Sequence, residues 1–244
     1  MRKILFFFVA LTVCSFEKTQ HVVPVILDSI PHEQNHFTQG LFFDGNDLIQ
    51  TTGQYGRSGL YRKMLSGKVL DSVKLAKKYF GEGSVAVGDD LFYLTWREHK
   101  AFIYDRKTFK AKGEFSIPTE GWGLAYWKSA LLMSNGSSEL LQIAPGGFQV
   151  VGVIPVKDEG RALPLLNELE VVGDTLYANV WQTAVIAVIE LPTGNVVRYL
   201  DFTDKVLSLQ KKYPKMDVLN GIAFDGTHLW VTGKLWPWIY KISY

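Results

Sequence analysis

Apolar and polar positions alternate in one short pattern that returns five times along the chain. The copies read QGLFFDGNDL from Gln39, EGSVAVGDDL from Glu82, WGLAYWKSAL from Trp122, NELEVVGDTL from Asn167 and NGIAFDGTHL from Asn220. Their second positions are Gly40, Gly83, Gly123, Glu168 and Gly221, at intervals of 43, 40, 45 and 53 residues. A leucine follows at the same distance in every copy: Leu48, Leu91, Leu131, Leu176 and Leu229. Between them four copies carry a glycine (Gly45, Gly88, Gly173, Gly226), and the third has Lys128. Asp, Asn and Gly supply the positive φ that tight hairpin turns require. Each copy therefore predicts two apolar strands around a turn.

Further strand-like runs follow each hairpin. Third strands are expected at 59–63, 101–105, 139–143, 185–191 and 238–242, and fourth strands at 69–75, 111–117, 148–156 and 196–202. Four strands per unit at this period describe a propeller blade. The fifth unit reaches Tyr244 after its third strand, while VVPVILDSI at 22–30 is an unassigned strand at the other end. The expected fold is an all-β, five-bladed β-propeller with four-stranded blades. The N-terminal strand closes the ring, because an open ring would leave exposed sheet edges.

Two segments interrupt the rhythm, KDEGRALPL at 157–165 and TDKVLSLQKKYPKMD at 203–217. In the second, Val206, Leu207 and Leu209 with Lys211 and Lys212 predict a short amphipathic helix ending near Pro214. Insertions of this kind lie on one face of a repeat protein, often the binding face.

Composition narrows the class. Hydrophobic residues make up 47% of the 244, enough for one sizeable core, so residues 21–244 are expected to form a single domain. The formal charge is +2 with no basic cluster, which disfavours nucleic acid as a partner. The N-terminus, MRKILFFFVALTVCSF, places Arg2 and Lys3 ahead of an apolar run and resembles a bacterial secretory signal. Residues 1–20 are therefore set aside from the fold, and a periplasmic or extracellular location is expected. Cys14, the only cysteine, follows LTV in a loose lipobox, although Val13 stands where a small residue is usual. Soluble export and a lipid anchor through Cys14 are both open, and a membrane partner is expected only in the second case. No disulfide is available, and a closed ring needs no partner, so a monomer is expected.

The repeat also places chemistry. Across a simple hairpin, the residue before the first strand faces one after the second. The first set is Gln39, Glu82, Trp122, Asn167 and Asn220; the second is Gly53, Trp96, Gly136, Trp181 and Lys234. Both sets are expected around one mouth of the central channel. One carboxylate, one ammonium, three carboxamides and three indoles would then share a pocket, in keeping with apolar sites that hold a few placed polar groups. A carboxylate walled by indoles has a raised pKa, which suits proton transfer near neutral pH. A lysine beside carboxamides suits a carbonyl oxygen that gains negative charge. Each residue alone has a plainer reading, as blade packing for tryptophan or backbone capping for Asn and Gln. His32 and His36 have i, i+4 spacing, but Pro31 and the strand context disfavour a helical metal pair, and they are read as loop residues with no metal site. No nucleophile elbow, phosphate loop or Cys/His cluster is present.

HFTQGL at 36–41, FGEG at 80–83, EGWGL at 120–124, LNELE at 166–170, LNGIA at 219–223 and TGKLWP at 232–237 resemble the glutamine cyclotransferase family of plants and bacteria. The resemblance spans about residues 30–244. It implies a cofactor-free, metal-independent enzyme that converts the N-terminal glutamine of peptides to pyroglutamate and releases ammonia. It makes Glu82 the catalytic general base and acid, with Lys234 as electrostatic stabiliser. It assigns Gln39 and Asn167 to the substrate's polar groups and Trp96, Trp122 and Trp181 to the walls; Asn220 is added to the substrate-binding set from its ring position. The family usually reads SDG where this chain has Ser134, Asn135 and Gly136, which bears on substrate preference. A non-catalytic peptide-binding propeller is the alternative. A calcium-dependent lactonase would need more carboxylates than this ring offers.

Overall fold

The computed structural model describes residues 18–244. The secretory-signal reading of residues 1–17 and the lipobox cysteine, Cys14, lie outside the described residues. Each repeat copy forms the expected hairpin. Its first strands are Thr38–Asp44, Gly81–Val87, Leu124–Trp127, Leu166–Val172 and Leu219–Phe224. Their partners are Asp47–Thr52, Asp90–Thr95, Ala130–Met133, Thr175–Val180 and Leu229–Gly233. The first strands touch one another in sequence around an axis, and Leu219–Phe224 returns to Thr38–Asp44.

The expectation of five four-stranded blades is corrected by the sheet topology. Four sheets have that form, but the fourth in chain order has seven strands. Its extra strands come from the insertion at 157–165 and from the N-terminus. Lys157–Asp158 and Arg161–Ala162 form a small hairpin, and Lys157 pairs in parallel with Asn195 on the outer strand Asn195–Asp201. His21–Val22 pairs with Tyr199 and Leu200 of the same strand. An outer strand with free N–H and C=O groups is a template for such additions. The insertion thus builds the outer edge before its chain returns to the channel mouth at Leu165, whose N–H donates to Gly136 O at 2.8 Å.

The N-terminal run is two strands. It breaks around Pro24, which has no N–H to give to a ladder. Val25–Pro31 then pairs with Trp238–Ser243 as the outermost strand of the last sheet. The N-terminal segment therefore clasps two neighbouring sheets, one on each side of the break.

Packing follows the same ring. Each pair of neighbouring sheets encloses its own apolar cluster, such as Leu41, Leu48, Ala223, Trp230 and Ile239 between the last sheet and the first. Both faces of every blade are therefore buried towards the axis. The helix spans Thr203–Lys212, with Asp204 in its first turn and Lys211 and Lys212 in its last, as the helix dipole favours. Val206 and Leu209 are buried, whereas Leu207 faces outward. This packing carries the chain to Asp217 and Val218 at the mouth.

Near the axis the blades are joined by hydrogen bonds made at the repeat position. Thr51 Oγ1 donates to Glu82 O at 2.7 Å, and Gly83 N to Trp122 O at 2.7 Å. Ser134 Oγ donates to Asn167 O at 2.6 Å, Asn179 Oδ1 accepts from Gly221 N at 2.9 Å, and Asn220 Nδ2 donates to Thr38 O at 2.9 Å. The approach is close: a Cβ on Gly123 would lie 2.0 Å from Asn167 O. Glu168, the exception to glycine at this position, sends its carboxylate across the channel to Leu41 N at 3.2 Å and Ile222 N at 2.8 Å. Ser134→Ala would strip Asn167 O and Gly123 N of their shared hydroxyl partner. It should lower unfolding stability by about 1–3 kcal/mol, the usual cost of a buried unsatisfied group, read from the midpoint of denaturant unfolding.

Candidate active site

The repeat position is a β-bulge. The ladder slips by one residue between Thr38 and Gly40, Gly81 and Ser84, Leu166 and Leu169, and Leu219 and Ile222. In the third copy Trp122 N donates to Ser134 O while Ser134 N donates to Gly123 O, again two residues against one. A bulge bends its strand and re-aims a side chain, and bulges recur beside active sites. Gln39, Glu82, Trp122, Asn167 and Asn220 all lie at these kinks.

The slip corrects the expected facing pairs. Gly53 N donates to Phe37 O, Trp96 N to Phe80 O, Trp181 N to Leu165 O and Lys234 N to Val218 O. In these four hairpins the residue two before the bulge position is therefore the one opposite. Phe37, Phe80 and Val218 line the cavity and were missed by counting across an unbulged hairpin. Two glycines expected at the mouth make room for rings: a Cβ on Gly53 would lie 2.3 Å from Phe80, and one on Gly136 2.6 Å from Trp122.

The cavity has a volume of about 320 Å³. Gln39, Glu82, Trp96, Trp122, Asn167, Trp181 and Lys234 line it, together with Phe37 and Phe80. Asn220 does not. It is fully buried behind the wall, where its Nδ2 donates to Gln39 Oε1 at 3.2 Å as well as to Thr38 O. Its expected place against a substrate is corrected to one that anchors Gln39. With Gln39 Oε1 engaged from behind, the N–H₂ of that amide is the end left for the cavity.

Aromatic rings form most of the wall. Phe37 meets Phe80 edge-on at 6.1 Å between centroids, Phe80 meets Trp96 at 5.4 Å, and Trp122 meets Trp181 at 5.4 Å. Lys234 Nζ stands 4.8 Å from the Phe37 ring centroid, in cation–π range.

Glu82 and Lys234, with Asp217, are the ionisable groups that line the cavity, and the first two are each only 4% exposed. Among the described residues neither side chain has a hydrogen-bond partner, and no ion pair within 4.0 Å joins them. Burial drives the Glu82 carboxyl well above its ordinary range; Lys234 opposes that shift, and Glu120 and Glu98 add to it. Burial likewise lowers the Lys234 ammonium, against the pull of Glu82 and Asp217. Each pKa is thus shifted towards the neutral form, as is common at sites of proton transfer.

His32, Glu33 and His36 bring possible ligand atoms within 4.8 Å of one another. The cluster already holds a cation of its own. Lys63 Nζ donates to Glu33 Oε2 at 2.5 Å and Gln50 Oε1 at 2.7 Å, and lies 3.2 Å from His36 Nδ1. Gln50 Nε2 reaches Thr38 Oγ1 at 2.8 Å, so this buried network braces the strand that carries Gln39. Asn135 accepts from Ser137 N at 3.1 Å through Oδ1 and donates to Thr119 Oγ1 at 3.3 Å. It keeps the side-chain turn acceptor and adds a donor.

Fold and site together define a β-propeller with an aromatic acid–base pocket at one end of its axis. The model of the glutamine cyclotransferase family matches residues 4–244, and the chain belongs to that family. It is 39% identical to a glutaminyl-peptide cyclotransferase of Arabidopsis thaliana, over 89% of this chain and 70% of that protein. The crystal structure of Myxococcus xanthus glutaminyl cyclase superposes with a TM-score of 0.85 at 32% identity, over 93% of this chain and 98% of that one. A virginiamycin B lyase of Staphylococcus aureus, at 17% identity and a TM-score of 0.50 over 85% of this chain and 66% of that one, shares the fold alone.

The raised Glu82 carboxyl has a stability consequence. The native state favours its protonated form, so stability is lost as pH rises above 4.5, the ordinary glutamate value. Glu82→Gln should raise stability near pH 7, because the amide has no proton whose loss burial opposes. The gap from the native protein should close below pH 4.5, as checked by denaturant unfolding across that range.

Proposed function

We infer that the protein is a glutaminyl-peptide cyclotransferase, converting N-terminal glutamine to pyroglutamate with release of ammonia. The observation that carries this reading is the buried Glu82 and Lys234, both without a hydrogen-bond partner among the described residues, on one aromatic cavity in a chain of this family. A glutamine side chain fits a narrow slot between flat rings, and the walls keep out water that would hydrolyse the amide.

The nucleophile and the electrophile belong to the same residue, so the first task is to fold glutamine into its reactive conformer. Glu82 accepts a proton from the α-nitrogen. That nitrogen attacks the γ-carbonyl carbon, and the carbonyl oxygen takes up negative charge. The Lys234 ammonium and the Gln39 amide N–H₂ stabilise this oxyanion. Glu82 returns the proton to the side-chain nitrogen, the carbon–nitrogen bond breaks, and ammonia leaves with the lactam closed. Burial raises the Glu82 carboxyl towards the α-amine, whose pKa is about 8, which eases proton transfer in both directions. Trp96, Trp122 and Trp181 hold the side chain, and Asn167 meets its polar groups.

Export belongs to the same reading, with anchorage at Cys14 as its variant, and so does a monomeric state. Mass spectrometry of the mature N-terminus separates a free from a lipidated form.

Purified protein incubated with a glutamine-initiated peptide should yield a product lighter by one ammonia, and activity should survive a chelator. Glu82→Gln should cut kcat by about 10²–10⁴-fold, the usual worth of a general acid–base. Lys234→Met should cut it by about 10²–10³-fold, as for loss of an oxyanion donor. Full activity in Glu82→Gln would sink this mechanism, and binding without turnover in the native protein would support a peptide-binding propeller instead.

A further inference from the structure

The aromatic wall is broken between Trp96 and Trp122, and the repeat shows why. Two residues before the bulge, the first two copies place Phe37 and Phe80, whose rings continue the wall to Trp96. The third copy places Glu120 there. No ring contact joins Trp96 to Trp122 among the described residues, so the wall is two runs, Phe37–Phe80–Trp96 and Trp122–Trp181.

Glu120 spans that break. Its Oε2 accepts from Trp96 Nε1 at 2.7 Å and from Trp122 Nε1 at 3.1 Å. The two indoles come from different sheets, so a single carboxylate oxygen ties the second sheet to the third at the mouth. Its other oxygen lies 3.5 Å from Arg97 Nε, and the Arg97 guanidinium covers the Trp96 ring at 3.9 Å from the centroid. Trp96 is thereby held at its edge by Glu120 and on one face by Arg97.

We propose that Glu120 is a positioning residue that sets the separation and tilt of Trp96 and Trp122, and so the width of the slot for the glutamine side chain. This rests on the cyclotransferase reading of the site. Glu120 acts through the indoles, by charge-assisted hydrogen bonds that a neutral acceptor of the same shape partly reproduces. Its charge also helps to raise the Glu82 carboxyl. Glu120→Gln and Glu120→Ala both lose that charge, so the difference between the two variants isolates the hydrogen bonding.

The test compares these variants by steady-state kinetics on a glutamine-initiated peptide and by near-ultraviolet circular dichroism of the free protein. Glu120→Ala should raise KM about tenfold or more, as for loss of a hydrogen bond to a charged group. It should lower kcat by less and change the tryptophan dichroism. Glu120→Gln should stay within about threefold of the native KM and keep the native spectrum. An alanine variant with native KM and native dichroism overturns the proposal. So does a glutamine variant that loses as much KM as alanine, since charge would then be the whole effect. Should the native protein fail to turn over the peptide, the functional reading falls. The dichroism alone then judges Glu120, and an unchanged spectrum in Glu120→Ala overturns it.

Discussion

Buried polar groups near the axis of this propeller find partners on the neighbouring blade at each of the five repeat positions. This constraint sets the rest. At five bulges a strand kinks, and the polar groups there are taken up by Thr51, Gly83, Ser134, Asn179 and Asn220 or their partners across the gap. Buried amides and carbonyls are costly to leave unpaired, so the blades lock at one spacing. Glu168 adds a crossing tie from the fourth repeat copy to the first and fifth. A side chain at a bulge is consequently aimed by the whole ring.

That rigidity lets the site hold groups that would otherwise relax. Glu82 and Lys234 are buried without side-chain hydrogen bonds among the described residues, and each is displaced from its normal pKa by lost solvation. A flexible pocket would collapse them onto each other or expose them to water. Here Asn220 grips Gln39 from behind, the Lys63 network braces the adjoining strand, and the rings pack edge to face. The stability given up at the mouth is supported by the apolar clusters between the sheets.

Much of this was legible in the chain because hairpins are local. Glycine turns, alternating apolar residues and a fixed leucine register the repeat without reference to distant contacts. The gathering of Gln39, Glu82, Trp122, Asn167, Trp96, Trp181 and Lys234 follows from that register. The departures arise where distant groups intervene. Asn220 shares the ring position but turns to Thr38 and Gln39, because the last blade must close on the first. Phe37, Phe80 and Glu120 escaped notice because the facing residue lies two positions further back, one from the bulge and one from a tighter turn than the spacing implied. Aligning the copies two positions further back would have found all three. The seven-stranded sheet was illegible for a related reason: the outer edge recruits the 157–165 hairpin and His21–Val22 from elsewhere in the chain.

By itself the sequence determined the hairpins, their order around an axis and the residue types offered at one mouth, since each depends on neighbours a few positions away. Only the tertiary structure decided which of those residues face the cavity, which stand behind it, and which carboxylate ties two indoles together. Those choices depend on hydrogen bonds between blades, and the partners in such bonds lie up to 182 residues apart.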